Sequence, residues 1–248
     1  MSKPQLLVYG ITHRDASPLR EPQMGLGNRP VQIGLGSTFG LLFSRHTALE
    51  IDHMLQHAAP DWAELVAADY LSAVNRLSHA YDLLPVRFGT VLSEIGSLDA
   101  YLTANYTRIA SGLDNVRGHQ EWTIKLSMTP SCQKTEGPPQ AKDYLRACQQ
   151  QRLVARRQYQ AFHQMRRSLS TQLCAHADMV ILAPADVTCA GNVADTETLR
   201  LLCRRDSGGE LMALIKAELA QAPFLQVQVI GPEAPFFTAR SIEGADAA

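Results

Sequence analysis

Between Ala141 and Ala175 the chain carries neither glycine nor proline. No other stretch constrains the fold as much, because these two residues end helices and their absence lets one helix run on. Leu145, Cys148, Ala155, Tyr159, Phe162, Leu169 and Leu173 recur within it at a spacing near 3.5. That spacing gathers apolar side chains on one face, so a long helix with an apolar seam through these residues is expected. Ahead of it, Trp122, Ile124, Leu126 and Met128 alternate with Thr123, Lys125 and Ser127, the period of a half-buried strand. Behind it come short apolar runs at 179–184 and 198–204. A helix opened by the Ser207/Glu210 capping box follows, then an alternating strand at 225–231.

From Glu121 onward the predicted order is therefore strand, helix, strand, strand, helix, strand. This βαββαβ order is that of the ferredoxin-like split arrangement. The first half is also mixed. A strand is predicted at 5–11, and a hairpin at 31–43 around Gly36 and Ser37. Thr47 and Glu50 form a capping box for a short helix to about Ala58. Pro60 opens a helix whose Val66, Tyr70, Ala73, Leu77 and Tyr81 line one side, and Pro85 stops it. Leu84–Leu92 reads as a single strand, and Ser97 caps a helix lined by Leu98, Leu102, Ile109 and Leu113. The fold class is α+β in two domains: 1–118, then a ferredoxin-like domain at 119–240, with a frayed tail at 241–248.

Composition narrows the function. Of 248 residues, 46% are hydrophobic and 19% charged, with a formal net charge of −1. Such a balance is globular and lacks the basic excess of a duplex-binding protein, so no nucleic-acid partner is expected. No apolar run approaches the roughly 20 residues that span a bilayer, and the apolar stretch after Gln5 is too short for a signal peptide. Cys132, Cys148, Cys174, Cys189 and Cys203 are odd in number and nowhere form a C-x-x-C spacing. Reduced thiols in a cytoplasmic protein fit better than a disulfide framework or a zinc ribbon.

No catalytic, cofactor or metal site is assigned. Gly34, Gly36 and Gly40 do not follow the spacing of a dinucleotide loop, and no lysine-bearing phosphate loop follows them. His46, Glu50, His53 and His57 fall on one helical stripe. Ile51, Leu55 and Ala58 occupy the other side, so the stripe is expected to face water, and whether it holds a metal stays open. Residues 46–75 contain five acidic residues, Asp61, Glu64 and Asp69 among them, and no Lys or Arg. The long helix is the reverse: Arg146, Arg152, Arg156, Arg157, Arg166 and Arg167 face only Asp143 as an acid. Asp61, Glu64, Asp69, Arg156 and Arg157 are thus the candidate partner-binding residues. Arg87, amid the apolar Val86, Phe88 and Val91, is expected to be buried and paired, since an unpaired buried charge is costly.

Several blocks, in this order, resemble the gas vesicle protein F/L family (GvpF/GvpL). They are Leu7–Ile11, Leu84-Pro85-Val86-Arg87-Phe88-Gly89-Thr90-Val91, Trp122–Leu126, Asp143-Tyr144-Leu145 and Gly231-Pro232-Glu233-Ala234-Pro235-Phe236-Phe237. The LPVRFGTV block is the most specific. Glu233 stands where the family often has an aromatic residue, and the choice between the F and L branches stays open. The resemblance implies a non-enzymatic accessory protein of gas vesicle assembly, cytoplasmic or on the vesicle, with two α+β domains. It implies binding to the small hydrophobic shell protein, to other accessory proteins, or both. It supplies no catalytic residues, and its Arg87 and Gly89 look structural. The alternative is a ferredoxin-like enzyme or a small-molecule-binding regulatory domain.

Overall fold

In the computed structural model, residues 4–16, 21–56, 60–93, 96–128, 141–176, 178–184, 196–220 and 225–244 are described. Nine strands and seven α-helices alternate along them. The first part holds β1 (Gln5–His13), β2 (Val31–Leu35), β3 (Phe39–His46), α1 (Ala48–Gln56), α2 (Pro60–Ala80), β4 (Leu83–Pro85), β5 (Val91–Leu92), α3 (Gly96–Ala104) and α4 (Tyr106–Val116). Then come β6 (His119–Met128), α5 (Ala141–Ala175), β7 (Met179–Pro184), β8 (Thr196–Arg204), α6 (Gly208–Ala220), β9 (Leu225–Glu233) and α7 (Phe236–Gly244). The chain divides into two units, Met1–Glu121 with Pro232–Ala248, and Trp122–Gly231. The end of the chain, placed by sequence in the second domain up to residue 240, falls with the first unit.

In the first unit the sheet runs β2-β3-β1-β4, and β5 also pairs β1. β1 is apolar from Leu6 to Ile11 because both its faces are covered. Leu6, Val8 and Ile11 join Leu102, Ile109, Leu113, Val116 and Ala239 of α3, α4 and α7. Leu7 and Tyr9 join Ile51 of α1 and Val66, Tyr70, Ala73, Val74 and Leu77 of α2. Side chains alternate along a strand, yet Val8 and Ile11 share a face. The β1–β3 register explains it: Val8 pairs Phe43 and Gly10 pairs Leu42, so Tyr9 is an extra residue. Such a bulge reverses the facing of everything beyond it.

The predicted strand through Leu84–Leu92 is interrupted. β4 pairs Gly10–Thr12 and β5 pairs Leu6–Leu7, and between them the chain leaves the ladder in a turn. The Thr90 N–H and hydroxyl both donate to the Arg87 carbonyl, at 3.1 and 2.6 Å. Gly89 takes φ +83° there, a left-handed conformation that suits glycine. The helix read from Ser97 is likewise two. The Asn105 side-chain amide donates to the Tyr101 carbonyl at 2.8 Å, and this local competition with the backbone separates α3 from α4.

In the second unit the sheet order is β7-β8-β6-β9, with β7 and β8 antiparallel. Ile124, Leu126, Leu199, Leu201, Cys203 and Leu225 pack on Phe162, Met165, Leu169 and Leu173 of α5 and on Leu211 and Ile215 of α6. Cys203 serves here as a small apolar group, its thiol pushed up to about 11 chiefly by burial. Cys148, Cys174 and Cys203 are free thiols; Cys132 and Cys189 lie outside the described residues. The seam of α5 is only half buried. Leu145 is 63% and Tyr159 48% exposed, whereas Phe162 onward is enclosed. Length is the reason. At about 1.5 Å per residue a helix of 35 residues reaches about 52 Å, while β6, with 10 residues, covers about 34 Å. The helix outruns the sheet that would bury it.

The last segment is fastened inside the first unit. The Ala234 N–H donates to Asn75 Oδ1 of α2 at 2.8 Å. The buried Glu121 carboxylate accepts from the N–H groups of Phe237 and Thr238, at 2.9 and 2.6 Å, and from the Thr238 hydroxyl at 2.7 Å. These amides are orphan donors of the first turn of α7, and an anion there also opposes the helix dipole favourably. Glu121→Ala should therefore lower stability by about 3 kcal/mol, the scale for stranding buried charge-assisted bonds. Urea unfolding checks it, with limited proteolysis expected to cut first near α7; an unchanged midpoint would contradict the anchor.

Candidate functional site

The described residues of the first unit line at least two open clefts. One, of about 600 Å³, is lined by Gly27, Asn28, Arg29, His46, Leu49, Glu50, His53 and Met54. It sits at the start of α1, where Thr47 and Glu50 form the predicted capping box. The Thr47 N–H donates to Glu50 Oε2 at 2.7 Å, and the Glu50 N–H donates to Thr47 Oγ1 at 3.2 Å. Glu50 also takes a close ion pair from Arg29. The bond from the Thr47 N–H, above all, holds the Glu50 carboxyl below its ordinary range.

His46 does not stand on the helical stripe with His53. It is the last residue of β3 and is buried, 4% exposed. Its Nε2 lies 2.8 Å from the Ser44 hydroxyl, which lies 2.7 Å from the Tyr9 hydroxyl. The Leu26 N–H donates to that same Tyr9 oxygen at 2.7 Å. Strand alternation puts residues 44 and 46 on one side, so a polar thread runs under the 26–28 turn. Gly25 must lack a side chain for the thread to close, since a Cβ there would stand 2.1 Å from the Tyr9 hydroxyl. Burial lowers the His46 pKa below the usual 6.5 and raises that of Tyr9. Glu50 is occupied, His57 lies outside the described residues, and among those described no group of three or more His, Cys, Asp or Glu is placed to hold a metal.

The second cleft, of about 480 Å³, is lined by Tyr70, Leu71, Pro85, Val86, Arg87, Phe88, Phe236, Ala239 and Arg240. Here the expectation for Arg87 is corrected: it is exposed, not buried and paired. The turn that Gly89 permits swings it out of the sheet, so its charge stays solvated and no desolvation has to be offset. Below it the Tyr70 hydroxyl donates among the carbonyls of Val8, Val86 and Tyr9, at 3.2, 3.1 and 3.5 Å. Burial raises the Tyr70 pKa, so the phenol stays a donor. Arg240 and Phe236 were missed by the sequence reading. The signal available was only that Phe236 lies in the last of the quoted blocks, which the fold brings beside Pro85–Phe88 of the LPVRFGTV block.

Of the candidate partner-binding residues, Glu64 and Asp69 are exposed on α2, and Arg156 and Arg157 are exposed on α5. The Asp61 side chain lies outside the described residues. Asp69 Oδ2 accepts from the Gly27 N–H at 3.2 Å, tying the 26–28 turn to α2. Arg166 of α5 is committed within its unit, paired with the buried Glu197 at 2.7 Å. No described helix is long and apolar enough to cross a membrane.

Comparison with known proteins adds three findings. Residues 5–237 match the family described as gas vesicle synthesis protein GvpL/GvpF. Gas vesicle protein L of Streptomyces sp. (strain CB03234) is 26% identical over 246 residues, covering 92% of this chain and 90% of that protein. The crystal structure of GvpF from Anabaena sp. PCC7120 matches at a TM-score of 0.63 with 14% identity, covering 95% of this chain and 96% of that one. GvpF from Microcystis aeruginosa matches at 0.63 with 17% identity, over 95% and 98%.

Two outcomes follow from the site. Because His46 has a depressed pKa when folded, the unfolded chain binds more protons just below pH 6.5, so stability falls as the pH drops through that value. Urea midpoints between about pH 5 and 8 should show this slope, and His46→Gln should reduce it. Arg87→Ala should change stability by no more than about 0.5 kcal/mol, as for other solvated surface positions; a larger loss by urea unfolding would restore the buried-pair reading.

Proposed function

Since the chain belongs to the gas vesicle synthesis GvpL/GvpF family, we propose that it acts by binding, as an accessory factor of vesicle assembly. It engages the small hydrophobic shell protein, other accessory proteins, or both, in the cytoplasm or on the vesicle. This is a gas vesicle family and not a known enzyme family. The observation that carries the reading is the amino-terminal half of α5. From Tyr144 to Ala161 it has no buried residue. It displays Tyr144, Leu145, Leu153, Val154 and Tyr159 between Arg146, Arg152, Arg156 and Arg157. Exposed apolar side chains interspersed with cations suit a partner that is both apolar and acidic, and apolar contact supplies the affinity while charge steers approach. The acidic side of α2 at Asp61 and Glu64 is the second candidate surface; Asp69 contributes less because it already holds Gly27.

The second unit, Trp122–Gly231, is read as ferredoxin-like. Its βαββαβ chain order and the sheet order β7-β8-β6-β9 support that arrangement. The alternative is a ferredoxin-like enzyme or regulatory domain, which would need a ligand site on that sheet.

Co-purification with the shell protein at low and high salt tests the proposal. The unmodified protein should capture it, and Arg156→Glu with Arg157→Glu should cut capture by about tenfold at low salt and less at high salt. Asp61→Lys with Glu64→Lys should act more weakly. If no shell or accessory protein is captured at either salt, and deletion leaves vesicle formation intact, the proposal fails.

A further inference from the structure

We propose that the cleft lined by Arg87 and Arg240 is a binding site for a carboxylate carried on an apolar peptide, using none of the charged residues Arg156, Arg157, Asp61 and Glu64 considered above. The lining is apolar apart from three side chains: Tyr70, Arg87 and Arg240. Tyr70 is not available to a ligand. It is 1% exposed and its hydroxyl is spent on backbone carbonyls. The two guanidiniums are exposed and, among the described residues, neither has an ion-pair or hydrogen-bond partner. Among the described residues, no carboxylate lines the cleft. Two cations on facing walls of one apolar cleft, with no counter-charge among the described residues, set up a field that an anion relieves.

The chemistry of the walls selects among anions. A guanidinium fork matches the two coplanar oxygens of a carboxylate. Leu71, Pro85, Phe88 and Phe236 offer nothing polar, so the remainder of the ligand is apolar. Inorganic phosphate would leave these walls uncovered. The volume, about 480 Å³, lies in the range of small-molecule and peptide side-chain pockets.

The site is also preorganised. Thr90 pins the Arg87 carbonyl with two bonds, and Gly89 holds the left-handed turn. The Phe88 ring packs on Tyr70 with centroids 4.9 Å apart. On the opposite wall α7 is fixed by Glu121. Groups held in place before binding lose less entropy when the ligand arrives.

The test is an amide NMR titration of the full chain with N-acetyl-Phe-Leu as the free acid, N-acetyl-Phe-Leu-amide, N-acetyl-Phe-Glu-amide and inorganic phosphate. The free acid or the Glu peptide should shift the Phe88, Gly89 and Ala239 amides with an affinity on the order of 1 mM, the scale of a small ligand making few contacts. Tighter binding of the first assigns a chain terminus, and of the second an acidic side chain; either supports the site. N-acetyl-Phe-Leu-amide should bind about tenfold more weakly, and Arg87→Gln and Arg240→Gln should each weaken the acid by about the same factor while leaving the remaining amide spectrum in place. Equal binding of acid and amide, tighter binding of phosphate than of either peptide, or no shift up to about 10 mM, where a free energy near 3 kcal/mol would still register, overturns it. None of these outcomes bears on capture of the shell protein, which reads other surfaces.

Discussion

Everything in the first unit leans on a strand that is buried on both sides. β1 has no wet face, so its side chains must satisfy two cores at once, and one extra residue at Tyr9 lets them do so. The bulge has a cost, since it removes Tyr9 from regular pairing. The freed Tyr9 carbonyl is taken up by the Val86 N–H at 3.3 Å, while the Tyr9 hydroxyl anchors the thread from Leu26 to His46. Tyr70, stacked on Tyr9 with centroids 5.5 Å apart, closes the arrangement from α2. Buried polar groups are tolerable only when satisfied in this way.

The second unit obeys a different constraint, that of reach. Its sheet buries a helix only as far as its strands extend, and α5 is longer than they are. The polar flank of the packed half is tied down by Arg166 with Glu197 and by Ser168 and Gln172 with Glu218. The other half is left with its arginines and several apolar side chains free of the unit's core. The binding surface proposed above lies where that packing ends.

What could be read from the residues divides along the range of the interactions. The alternation at 122–128, the Thr47–Glu50 capping box, the hairpin at Gly36 and the uninterrupted stretch 141–175 are local, and local physics decides them. The membership of Val86–Thr90 in a strand was not local. Its propensity is β-like, but a positive φ at Gly89 and two bonds onto one carbonyl override it. With that turn went the surroundings of Arg87, because burial depends on which side of the ladder a residue leaves. His46 was misplaced for a similar reason: helical spacing relates it to Glu50 and His53, but the helix begins after it. Nor does periodicity along α5 say how far a partner sheet extends. The second cleft depends on residues about 150 positions apart, and nothing in a single sequence announces that pairing.

One consequence concerns synthesis. The first unit is discontinuous: Pro232–Ala248 belongs to it, yet the whole of Trp122–Gly231 is made in between. Ala234 fills a gap in one of its cores and Ala239 a gap in the other. At ribosomal speeds the nascent amino-terminal segment waits on the order of ten seconds with both gaps open. The second unit, continuous in sequence, has its residues together sooner. A stalled or clipped chain that ends before residue 232 thus carries one unit with all its parts and one that lacks its closing pieces, exposing apolar sockets that the cell's quality-control machinery is built to detect.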